Sequence, residues 1–155
     1  METILDNIDK KILLHLEQDS SISNLELSKA VGPSPSACLS RTKNLVKSGI
    51  IRQFALVLDE KKLGFAVTAF ITVTLSPYNK ETISHFINKV VELPFILECY
   101  TLAGSKDHLL KAVAPNMETY KEQVIDNLVA IPGISSMETN IVVDTQKRKF
   151  AIPLL

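Results

Sequence analysis

The chain has 155 residues, 46% of them apolar, with 17 basic and 17 acidic side chains and no net charge. That length holds one ordinary domain or two small ones, and that apolar share excludes global disorder. Balanced charge excludes a generally polybasic nucleic-acid binder. The apolar runs are too short for a membrane span, and no basic segment leads into an apolar one at the start, so no secretory signal is expected.

The first third predicts three short helices. Asp6 caps the first, with Asp9 three residues on, and Ile8, Ile12, Leu13 and Leu16 recur on one helical face. Ser23-Asn24-Leu25-Glu26 is a capping box opening the second, whose buried face would be Leu27, Ala30 and Val31, with Gly32 as its end. Ser34 caps the third, Pro35 occupies its first position, where a missing N–H costs nothing, and Gly49 closes it. Cys38, Leu39, Thr42, Leu45 and Val46 share one side of this helix. Ser36, Ser40, Lys43 and Lys47 share the other, flanked by Ala37, Arg41 and Asn44.

Two short helices, a tight turn and a third helix with a small, polar, basic face describe a helix-turn-helix. A polar face is most often merely solvated, but solvated faces mix signs. Residues 27–58 contain no Asp or Glu, while Lys29, Arg41, Lys43, Lys47 and Arg52 fall inside. Local charge of this kind is a footprint for a polyanion. The small residues Ser34, Ser36, Ala37 and Ser40 would let the backbone approach bases. Arg41, Lys43 and Asn44 suit guanine, phosphate and adenine, and Lys47 suits phosphate. The run from Ile50 to Leu58 alternates as a strand would, either a wing or the link onward.

The remainder carries an internal repeat. Pro77 and Pro115 are 38 residues apart, and so are Pro94 and Pro132. Each first proline ends an apolar run, Ala69 to Leu75 or Leu109 to Ala114. Each second proline follows a helical pattern, Lys80 to Val91 or Met117 to Val129, and precedes another apolar run, Phe95 to Leu102 or Ile134 to Val143. Two β-α-β units joined by the turn Gly104-Ser105-Lys106-Asp107 predict a ferredoxin-like α+β domain, a four-stranded antiparallel sheet with helices on one face. The other face, presenting Phe70, Thr72 and Thr74 or else Ile71 and Val73, has no cover from this chain and predicts self-association. The expected division is a helix-turn-helix at 1–50, a linker strand at 51–60 and a ligand-binding and oligomerisation domain at 61–155.

Catalytic and metal chemistry find no support. His15, His85 and His108 show no ligand spacing, and no phosphate loop or nucleophile elbow is present. Asp107 and His108 are adjacent on a strand and point to opposite faces. Asp107 then either fixes its turn through its own side chain or partners the ammonium of a bound amino acid, and the residues alone favour the first. Cys38 and Cys99 lie 61 positions apart in different predicted domains, so no disulfide is expected and a reducing cytoplasm is the simplest home.

The segments Leu5-Asp6-x-Ile8-Asp9, Ile22-Ser23-Asn24-x-Glu26-Leu27-Ser28 and Ser34-Pro35-Ser36-x-Cys38-Leu39-x-Arg41, with Leu93, Glu98-Cys99, Gly104-x-x-Asp107 and Ile131-Pro132-Gly133, resemble the Lrp/AsnC family of transcription regulators. The resemblance runs from about Leu5 to Val143. It implies an N-terminal helix-turn-helix on double-stranded DNA and a C-terminal ferredoxin-like domain taking an amino acid. It also implies homodimers that can assemble into octamers; no cofactor is expected. The amino acid is expected at a junction between subunits, on Gly104, Ser105, Lys106 and Asp107, with Leu102, Met137 and Thr139 lining an apolar pocket; so apolar a lining favours leucine or methionine over an acidic effector. Departures from the family pattern fall at Asn44, Val46, His108, Met137 and Asn140.

Two rival readings stand beside it. Some haem-biosynthesis decarboxylases resemble the same two-domain arrangement, but only Arg148 of the three arginines lies outside the proposed DNA-facing third, too few for a tetra-carboxylate substrate. An architectural DNA binder without effector is the other.

Overall fold

The computed structural model describes residues 5–149 and 152–153. The chain divides into two compact units, residues 1–57 with 146–155 and residues 58–145. The segment 51–57 and the last ten residues therefore group with the helix-turn-helix, where the sequence pattern assigned them to a linker and to the second domain.

Three helices of the described residues build the first unit: α1 (Asn7–Gln18), α2 (Asn24–Val31) and α3 (Pro35–Lys47). Both capping boxes form, Asp6 with Asp9 and Ser23 with Glu26, and Ser34 caps α3. Gly32 turns the chain between α2 and α3 at a φ of 110°, which a side chain would strain. The Ser28 hydroxyl donates to the Pro33 carbonyl at 2.6 Å and fixes that turn. Ile12, Leu13, Leu27, Val31, Cys38 and Leu45 form the core.

Leu39 and Val46 do not join it, being 40% and 44% exposed, and Ala30 is exposed as well. Cys38 and Leu45 are one heptad apart and define a narrow seam. Their successors are rotated about 100° away from it. The expected strand after α3 is also absent. Residues 52–58 belong to no helix or strand, and Phe54, Leu56, Val57 and Leu58 are exposed, Leu56 by 84%.

The second unit runs β1 (Val67–Leu75), α4 (Lys80–Val91), β2 (Ile96–Thr101), β3 (His108–Ala114), α5 and β4 (Ile134–Ile141). Here α5 comprises Met117–Tyr120, a π-helical Lys121–Ile125 and Asp126–Val129. The sheet order is β2-β3-β1-β4 with antiparallel pairing throughout, the ferredoxin-like arrangement expected from the repeat. Ile71 and Val73 face the helices and are fully buried, with Phe86 and Val90 of α4 and Tyr120, Val124 and Leu128 of α5 packed over them. Strand alternation then turns Phe70, Thr72 and Thr74 to the opposite face, which settles the choice the sequence pattern left open.

Gly133 brings the loop before β4 onto α4. Its φ is 94°, and a Cβ there would collide with Thr82 Cγ2. No described helix is long and apolar enough to cross a membrane.

Candidate nucleic-acid interface

Ser34 positions the start of α3 by accepting from the Ala37 N–H at 3.3 Å, and its hydroxyl lies 3.1 Å from that of Ser36. Ser36, Ser40, Lys43, Asn44 and Lys47 are exposed, and Ala37 is half-buried between them. α1 and α2 each carry an acid in their first turn, whereas α3 carries none. The positive end of its dipole is thus left for an external anion. Among the described residues Lys43 and Lys47 form no ion pair.

Arg41 is placed differently from the expectation that it reads guanine. Its Nη1 donates to Asp6 Oδ2 at 2.7 Å and to Asp9 Oδ1 at 2.8 Å. The physical cause is the capping box of α1. Asp6 Oδ1 accepts the Ile8 and Asp9 N–H groups, Asp9 Oδ2 accepts the Asp6 N–H, and each carboxylate has its second oxygen directed at Arg41. The Asp9 N–H and then Arg41 hold the Asp6 carboxyl below its usual range, while Asp9 and Asp6 raise the Arg41 guanidinium further. Arg41 therefore ties α3 to α1, and the polar and basic side chains that α3 exposes are Ser36, Ser40, Lys43, Asn44 and Lys47.

The turn between β2 and β3 is the second candidate site. Leu102, Gly104 and Ser105 are exposed there, with Lys106 and Asp107 half-buried. Asp107 locks it. Its carboxylate accepts the Leu75 N–H at 2.7 Å, its own N–H donates to the Val73 carbonyl at 3.0 Å, and its carbonyl accepts the Leu102 N–H at 2.8 Å. The side chain thus ties the turn to β1, and the bond that closes the turn itself is made by the Asp107 main chain.

Met137 and Thr139 do not converge on this turn. They pair with Val73 and Ile71 across β1, on the helix-facing side. Met137 packs against the core, and the Thr139 hydroxyl lies 3.2 Å from that of Tyr120. The strand order explains the separation, because β1 lies between β4 and the strand that Asp107 leads into.

His108 follows the turn and opens β3. It is fully buried, its ring centroid lies 4.7 Å from that of Phe86, and its Nδ1 is 3.5 Å from the Thr101 hydroxyl. Burial pushes its pKa below the ordinary 6.5, against opposing contributions from Asp107 and the Tyr100 backbone. Alternation with Leu110 and Ala112 was the signal available for its inward orientation.

Cys38 and Cys99 are both free thiols, and the described residues contain no cluster of three or more metal-ligating side chains. A shallow depression lined by Ser76, Pro77, Glu81, Thr82, His85, Pro132 and Gly133 lies beside α4, and none of the expected site residues enters it.

Residues 68–152 match the Lrp/AsnC ligand binding domain, and residues 5–52 match a winged helix-turn-helix DNA-binding domain. The transcriptional regulator AzlB of Bacillus subtilis (strain 168) is 52% identical over 154 residues, 99% of this chain and 98% of its own length. The leucine-responsive regulatory protein of Escherichia coli (strain K12) is 35% identical over 144 residues, 93% of this chain and 88% of its own. Among solved structures, a transcriptional regulator of Neisseria meningitidis in complex with L-Met is similar at a TM-score of 0.92 and 33% identity, with 97% of each chain covered.

Proposed function

The chain belongs to the Lrp/AsnC family of DNA-binding transcription regulators, and on that premise we propose that it reads duplex DNA with the outer face of α3 and answers to an apolar amino acid, leucine or methionine. The single observation that carries the first half is the face itself. Ser36, Ser40, Lys43, Asn44 and Lys47 are all exposed on a capped helix without an acid in its first turn. Asn44 suits adenine, the lysines suit phosphate, and the serines permit close approach.

The effector reading draws on the L-Met complex of the Neisseria regulator at 33% identity. We place the ligand at residues 102–107, where Asp107 holds an exposed turn whose backbone N–H groups can meet a carboxylate. Leu102 offers apolar surface beside it. Met137 and Thr139, on β4 beyond β1, would join it only where a second subunit meets the turn.

A homodimer completes the reading. The exposed apolar run Phe54–Leu58 and the sheet face on which Phe70 is 37% exposed supply surface for a second copy, with octamers as the higher assembly. Paired α3 helices would then meet half-sites about one DNA turn apart, or a multiple of that.

A thermal-shift screen across the common amino acids tests the effector. Leucine or methionine should raise the midpoint of the wild type and not of Asp107→Ala, while that variant keeps its effector-free DNA binding. Stabilisation by acidic amino acids alone would overturn the choice, and no response to any amino acid would leave an effector-independent DNA binder.

A further inference from the structure

The neutral chain is a composite of two oppositely charged units. Residues 1–57 with 146–155 hold ten Lys and Arg against six Asp and Glu, a net charge of +4. Residues 58–145 hold seven against eleven, a net of −4. Three of the ten bases in the positive unit are consecutive, Lys147, Arg148 and Lys149, and without them that unit would be nearly neutral. The run therefore sets the field of the DNA-binding unit, although it lies far from it in sequence.

The fold brings the run there. After β4 ends at Ile141 the chain leaves the sheet, and residues 146–155 group with the helix-turn-helix. The Ile152 N–H donates to Glu17 Oε1 near the end of α1 at 3.3 Å, which anchors the segment. Lys147 and Lys149 precede that anchor by five and three residues, a reach of at most about 17 Å. Both are exposed, and neither forms an ion pair among the described residues. A solvated basic run is common on any surface. This one is carried out of a negative domain and anchored on the unit that binds DNA.

We propose that the C-terminal segment is a second DNA-contacting element, in which Lys147 and Lys149 meet backbone phosphates and add affinity without sequence preference. The proposal rests on the DNA-binding reading of α3 and adds a contact outside it. Phosphate contacts release counterions, so each contributes about 0.9 to the slope of log affinity against log salt. Extrapolated from 1 M to 0.1 M salt, that is about eightfold in affinity for each lysine engaged.

The test measures DNA binding by the full chain across a salt series, on a selected operator and on random duplex. K147Q/K149Q should lose affinity by the same factor on both DNAs and lower the salt slope by about 1 to 2. K147R/K149R, which keeps the charge, should bind as the wild type does, and unchanged thermal midpoints in both variants exclude misfolding. K43Q/K47Q, measured alongside, reports on α3 independently. An unchanged slope in K147Q/K149Q, with K43Q/K47Q impaired, overturns the tail contact and leaves the α3 reading standing. Loss confined to the operator overturns it also, because phosphates carry no sequence.

Discussion

Arg41 shows how capping chemistry redirects a side chain. Its residue type and its place beside the polar face of α3 suit guanine, yet the two acids that cap α1 hold it by one nitrogen. Arg41→Gln should therefore lower the thermal midpoint and weaken operator and random DNA together, by loosening α3 on α1. Loss on the operator alone, with an unchanged midpoint, would return Arg41 to base reading. His108 gives the second residue-scale prediction. Its folded pKa lies below 6.5, so the unfolded chain binds more protons once pH falls beneath that value. Stability should hold above about pH 6.5 and decline below it, until the folded pKa is also passed. Midpoints recorded from pH 8 to 5 should show this decline in the wild type and a shallower one in His108→Leu. Parallel curves would assign the titration to another group.

At the scale of elements, the proposed DNA reading gives Asn44 and Lys47 of α3 different tasks. Asn44→Ala should cost about 1–3 kcal/mol on the operator and little on random duplex, since a base contact carries sequence. Lys47→Ala should weaken both and reduce the salt slope by about 1, since a phosphate contact does not. Equal effects of the two substitutions on both DNAs would refute this division. Gly133 secures α4 against the loop before β4. Gly133→Ala should destabilise by more than about 1 kcal/mol, from positive φ and from the collision with Thr82 Cγ2. Adding Thr82→Ser removes that methyl and should restore part of the loss in urea unfolding, the backbone part remaining.

For the whole molecule, the unpaired stretch after α3 is the strongest pointer to assembly. Phe54, Leu56, Val57 and Leu58 expose apolar surface that a second copy would cover. Sedimentation at micromolar concentration should show the wild type as a dimer or larger and Leu56→Glu shifted toward monomer. A wild-type monomer would remove the proposed pairing of half-sites. Alternation in 50–58 has the pattern of a strand, because periodicity records which side chains seek cover. It does not record whether the cover comes from the same chain, and here no ladder forms with the described residues.

Local signals in the sequence determined much of this protein. Asp6, Ser23 and Ser34 start their helices because a cap needs only its own next three residues, and the proline repeat marks strand and helix ends for the same reason. The β-α-β-β-α-β order followed, and with it the turn at Gly104–Asp107. Tertiary structure decided what depends on partners distant in sequence. It turned Arg41 onto Asp6 and Asp9, 35 and 32 positions away. It set Met137 and Thr139 beneath the helices through their register with β1. It chose Ile71 and Val73 over Phe70 and Thr72 for the core, since alternation gives two faces without saying which one the helices cover. It also brought Ile152 to Glu17, 135 positions apart, and grouped the segment after β4 with the first unit.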